Sequence, residues 1–232
     1  MTRHLITTVL IFLQFGILHA GEPDSLFIKQ QKPFPRVAIP VMTAATVGAF
    51  LLDKPLRDHH VSHPTAFKND FSEISDYFGD KKFVVPAVAT AYGAGRFVFR
   101  DPKLQMTAFQ SFQAILTTAI ATETIKITTG RARPYTGKGP HSFEPFSFSD
   151  NKRKALPSGH ASLAFAVFTP FAENYSRWIY AIPGSVALGR VWQDKHWTSD
   201  VVVGSCIGFI SGFLFAHNEN VQLIPNGVVV KF

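Results

Sequence analysis

The sequence predicts an all-α fold: a multi-helix bundle, with a short C-terminal hairpin or tail as its one β feature. Three observations carry this. Six uncharged apolar stretches recur between residues 37 and 216, most longer than a strand and none strictly alternating. Two long polar connections, 53–82 and 129–159, separate them. Only the tail "VQLIPNGVVVKF" sets two β-prone runs either side of Asn226-Gly227, a dipeptide favoured in tight hairpin turns.

Taken in order, residues 1–20 read as a secretory signal peptide: Arg3, an apolar stretch from Leu5 to Leu18, then Ala20 before a polar shift. Leu18 departs from the small residue expected three positions before the cut. Residues 21–36 form a polar lead segment. Runs 37–52, 83–95, 104–122, 161–172, 178–188 and 201–216 are the expected helices of one domain, 37–217, and 218–232 is the tail or hairpin. A bilayer core near 30 Å asks for about 20 apolar residues. The runs 37–52 and 201–216 would reach only about 24 Å, and 104–122 carries Gln105, Gln110 and Gln113.

The chain has 232 residues, 46% hydrophobic and 17% charged, the latter below the usual quarter. A net charge of +7 points to an anionic partner. No Lys/Arg-rich run marks a nucleic-acid patch, so the expected partners are a phosphorylated small molecule or lipid, and a membrane surface. Cys206 is the only cysteine, which excludes an internal disulfide; it reads as a small core residue.

Three segments gather chemistry. In "KITTGRARP", Lys126 falls on the last turn of a helix that Gly130 and Pro134 should end, and Arg133 on the exit loop. In "PSGH", Ser158 and Gly159 stand before His160 at a helix start. In "GRVWQDKHWTSD", Arg190 is followed by His196 and Asp200, four apart, so that on a helix the carboxylate could accept from the imidazole Nδ1–H. Asp194, two residues from His196, should point elsewhere. Singly, each segment also fits an ordinary helix terminus or surface pair. Together, three cations around two histidines call for an anion to neutralise them, and a phosphoryl group matches.

These motifs resemble the signature of the type 2 phosphatidic acid phosphatase and vanadium-dependent haloperoxidase superfamily. The three parts read Lys126 to Arg133-Pro134, then Pro157-Ser158-Gly159-His160, then Gly189-Arg190 to His196 to Asp200. Gly189 stands where the family pattern has serine. The resemblance implies a helical bundle of the acid phosphatase/haloperoxidase type. It also implies a phosphatase of phosphomonoesters or lipid phosphates that works through a phosphohistidine. His196 would be the nucleophile, Asp200 its electrostatic partner and His160 the acid. Lys126, Arg133, Ser158, Gly159 and Arg190 would bind the phosphate. No metal or other cofactor is expected, and His59, His60 and His63 read as scattered loop histidines. Two alternatives stay open: a vanadate-dependent haloperoxidase, with vanadate in the same cradle, or a non-catalytic phosphate- or lipid-binding protein.

In integral members of this superfamily the catalytic loops lie outside and six helices cross. An N-terminal export signal followed by six crossings would put residues 126–160 on the wrong side. The expectation is therefore an exported bundle, soluble or resting on the membrane surface, facing the periplasm.

Overall fold

The computed structural model describes residues 33–217 and two strands beyond them, so the leader and most of the lead segment lie outside the described residues. Seven α-helices occur among the described residues: α1 (Ala38–Ser62), α2 (Ala66–Asp76), α3 (Lys81–Gly93), α4 (Pro102–Thr129), α5 (Gly159–Asn174), α6 (Ala181–Trp192) and α7 (Thr198–His217). The tail is separate from the compact unit Phe34–Ala216. There, β1 (Val221–Ile224) pairs antiparallel with β2 (Gly227–Val230). The register matches Ile224 with Gly227, so Gly227 is the first paired residue after the turn rather than part of it.

Helix ends follow local chemistry. Thr65, Asp80 and Asp101 each cap the helix that follows them by accepting a backbone N–H, and Pro102 occupies the first turn of α4, where its missing donor costs nothing. Gly130 ends α4 in the left-handed region at φ 55°, its N–H bonded 3.0 Å to the Lys126 carbonyl. No side chain would fit there, because a Cβ would run into the Glu144 carbonyl.

Two expectations need correction. The connection 53–82 is largely helical: α1 runs on to Ser62 and α2 follows. In α2 the fully buried residues are Ser72 and Ser75, while Phe67, Phe71 and Ile74, at helical spacing among charged and polar residues, are its only large apolar side chains. Consequently His59, His60 and His63 lie at the end of α1, not in a loop, where His60 and His63 bond to backbone carbonyls one turn earlier. The run 178–188 begins as a 3-10 turn, Arg177–Tyr180, and its α-helix extends to Trp192, so Arg190 is helical.

The apolar core sits between α3, α4 and α5, around Val84, Val88, Ala108, Ile115 and Val167. Against α5, helix α7 packs through Gly204, Gly208 and Gly212, spaced four apart. A Cβ at these positions would collide with Ser158, Ser162 and Thr169 respectively. Small residues at this spacing let two helix backbones approach closely. Helix α1 is the opposite case: among its residues only Ala49 and Asp53 are fully buried, while Val41, Val47 and Leu51 are exposed.

Candidate active site

All three sequence segments meet at one end of the bundle. Ser158 caps α5, with its hydroxyl toward the Ala161 N–H, and its own N–H donates 2.9 Å to the Asp200 carbonyl of α7. The opening of α5 is thereby stitched to the opening of α7. Ser158 is completely buried, and its hydroxyl accepts from the Ala161 N–H as the helix cap. Gly159 has a different part: a Cβ there would lie 3.0 Å from Lys126 Nζ, so the missing side chain makes room for the ammonium beside the free N–H groups of α5.

His196 is 3% exposed and lies two residues before α7 rather than within it. Its Nδ1 is 2.8 Å from the Ala155 carbonyl, which can only accept, so Nδ1 carries the proton and Nε2 keeps its lone pair. The expected Asp200 bond is not made; Oδ2 is 3.7 Å from Nδ1. Asp200 is otherwise engaged. As the third residue of α7 its Oδ2 accepts the Trp197 N–H at 2.8 Å, in the manner of a capping-box acid, and its Oδ1 takes Arg131 Nη1 at 2.6 Å. Asp200 therefore stands beside His196 without a hydrogen bond to it.

Behind Asp200 lies a closed, fully buried network. Arg131 donates Nη1 to Ser199 Oγ as well as to Asp200, Nη2 to Asp53 of α1 at 2.7 Å, and Nε to the Pro140 carbonyl. Asp53 in turn accepts from the Ser199 N–H and hydroxyl. The Phe50 and Trp197 rings flank the guanidinium. Two carboxylates around one bidentate arginine satisfy nearly every lone pair, the condition under which buried charge is tolerated. Neither Asp53 nor Arg131 stood out as a site residue in the sequence. The only available signal was the first arginine in "GRARP".

The cations surround His196 and His160. Arg133 is held by the carbonyls of Asn151 and Lys195 through Nε and Nη1. Burial lowers its pKa, and burial likewise lowers that of Lys126, whose nearest carboxylate, Glu123, is 3.8 Å away. Burial, reinforced by Arg133, Arg190 and Lys126, keeps the His196 imidazole well below its ordinary range. His160 is pushed down to about 4, again by burial first and then by Arg190, with Asp76 and Asp80 opposing. The turn between α2 and α3 packs directly on His160: a Cβ at Gly79 would be 2.9 Å from the His160 Cβ. Asp194 does point away, pairing with Arg57 of α1 at 2.6 and 2.8 Å. Among the described residues no three His, Cys, Asp or Glu side chains come together as a metal site.

The sequence matches the family described as the PAP2 superfamily over residues 107–222, half of the chain. The chain belongs to the PAP2 superfamily. Its curated relatives include a lipid A 1-phosphatase of Rhizobium johnstonii, 25% identical over 206 residues, spanning 80% of this chain and 83% of that protein. A lipid A 1-phosphatase of Rhizobium etli is 26% identical over 182 residues, spanning 72% and 77%. Among solved structures, Aquifex aeolicus LpxE shares the fold, with a TM-score of 0.53 at 17% identity over 71% of this chain and 94% of that one. The PAP2 match begins within α4 and takes in Lys126, His160 and His196. Asp53 and Asp76, which touch Arg131 and Arg190, come from α1 and α2 outside it.

Proposed function

We propose that this PAP2 protein is a metal-independent lipid-phosphate phosphatase that turns over through a phosphohistidine on His196. Its phosphatase character rests on the family and its curated relatives. The observation that carries the mechanism is the buried His196, its Nδ1 proton committed to Ala155, in the field of Lys126, Arg133 and Arg190. Nε2 attacks phosphorus as the P–O bond to the lipid breaks, and protonated His160 gives its proton to the departing oxygen. His160 then takes a proton from water as that water cleaves the N–P bond, releasing phosphate and restoring His196. Asp200, 3.7 Å from Nδ1, favours the positive phosphoimidazole. The three cations hold the equatorial oxygens. Arg190 and Lys126 help keep His160 neutral; a phosphate dianion offsets them and lets His160 take up its proton.

Lys126, Arg133 and Arg190 around His196 repel a metal ion, and the Asp200 carboxylate is already taken by Arg131, which favours a reaction without one. A lipid tail has a place to go. An apolar pocket lies between α3, α5 and α6 at the edge of the core, lined by Val84, Val88, Val167, Phe168, Phe171 and Ile182. Phe168 is eight residues, about 12 Å of helix, from His160. The reading includes an exported, membrane-associated enzyme facing the periplasm, supported by the leader sequence and by two helices, Ala38–Ser62 and Thr198–His217, long and apolar enough to cross a bilayer.

Purified protein is expected to release phosphate from lipid A 1-phosphate, the substrate class in the relatives' names, with EDTA present and without added metal. Acid-labile, base-stable phosphoenzyme should form in the wild type and not in His196→Ala. Loss of turnover with EDTA, restored by zinc or magnesium, would overturn this reading.

A further inference from the structure

Arg190 is 7% exposed, and its contacts are lopsided. Nη1 carries three partners: both oxygens of Asp76 at 2.8 Å and Gln193 Oε1 at 3.1 Å. Nε, equally buried, has none. Gln193 closes the arrangement, its Nε2 donating to Asp76 Oδ2 at 3.2 Å and to the Ser72 carbonyl at 3.1 Å. The three contacts on Nη1 fix one corner of the planar guanidinium and leave Nε as its unpartnered donor.

We propose that Asp76 and Gln193, neither of them in the three-part signature, are positioning residues that fix Arg190 so that its Nε edge meets the phosphoryl oxygens. The proposal deepens the function above and rests on it. Asp76 ends α2, and α2 reaches Arg190 by lying against α6 at Gly189, where a Cβ would meet Ser75 Oγ and sit 3.2 Å from Ser72 Cα. That gives the departure from the family serine a physical reason. A hydroxyl is exchanged for close helix contact, and the contact delivers a carboxylate. The same carboxylate favours protonated His160, which Arg190 opposes.

The sign of the effect is diagnostic. Removing Asp76 adds net positive charge around an anion site, which by charge alone would tighten binding. Loss of orientation predicts the reverse. Calorimetric titration of the full-length protein with orthovanadate reads this without turnover. Asp76→Ala is expected to weaken binding tenfold or more, the loss of charge-assisted hydrogen bonds corresponding to roughly that factor. Asp76→Asn, which keeps an acceptor for Nη1, should recover most of it, with all three melting temperatures alike because Asp76 sits at a partly exposed helix end. Vanadate binding to Asp76→Ala as tight as, or tighter than, wild type overturns the proposal. So does equal weakening in both variants that tracks a fall in melting temperature. Failure of the wild type itself to bind vanadate would instead refute the phosphate-site reading.

Discussion

Replacing Gly204 by alanine should damage the site from behind, without touching any charged residue. An added Cβ would lie 2.5 Å from the Ser158 carbonyl oxygen and 3.2 Å from its nitrogen, while ordinary contact begins near 3.4 Å. The opposing atoms are backbone and cannot rotate aside, so α5 and α7 must separate by about 0.9 Å at this level. Overpacking of this kind costs about 1–3 kcal/mol. In a chain this size that lowers the melting temperature by about 2–4 °C per kcal/mol. Turnover should suffer more. Ser158 adjoins Gly159 and His160 and is bonded to Asp200, so the acid and nucleophile shift relative to each other, and a misplacement near 1 Å can cost about a hundredfold in rate. Gly184→Ala is the control: it lies within α6 with open space around it, and should stabilise by about 0.5–1 kcal/mol with unchanged activity. Thermal melts and p-nitrophenyl phosphate hydrolysis of the two variants decide. A Gly204→Ala protein with wild-type melting and turnover would refute the close-contact argument.

Other expectations follow from the same geometry. His160→Ala should lose far more activity on alkyl phosphates than on p-nitrophenyl phosphate, whose leaving group needs no proton; equal losses would remove His160 from the acid role. Arg131→Met leaves Asp53 and Asp200 buried together without their shared cation, and urea titration should show a loss of about 3–5 kcal/mol; a loss below 1 would mean the network is not needed. His160 and His196 both have folded pKa values below the ordinary 6.5, so below that pH the unfolded chain binds protons the folded one does not. Stability should hold above pH 6.5 and fall as pH drops toward 4, His160 alone accounting for up to about 3 kcal/mol. Flat denaturation midpoints between pH 7 and 4.5 would contradict this.

Much of the bundle was legible because long apolar runs and strong helix punctuation coincide. Gly130 and Pro134 ended α4 where expected, and Ser158 opened α5. Helix α2 was less legible: Phe67, Phe71 and Ile74 do recur at helical spacing, but charged and polar residues outnumber them. The signature residues could be read off, and they do gather around His196. Their second partners could not. Whether Asp200 bonds to His196 or to Arg131 depends on where α7 begins, and spacing alone left that open by two residues. Asp53 and Asp76 lie on other helices among other acids, 78 and 114 residues from the arginines they hold, and only the folded chain brings them there.

The hydrogen bond from the Ser158 N–H to the Asp200 carbonyl has a consequence for how such an enzyme can be altered. It joins the peptide beside the proton donor to the helix that follows the nucleophile, so the reacting pair behaves as a single rigid jig whose spacing is set by main chain. Swapping side chains around that jig retunes what is gripped, not how far apart the two imidazoles stand. The replaceable part is the one whose main chain is not stitched to it: α2 with its turn over His160. Grafting residues 66–80 from a relative is therefore the economical route to new substrate preference, because it exchanges the gripping wall and leaves the jig uncut.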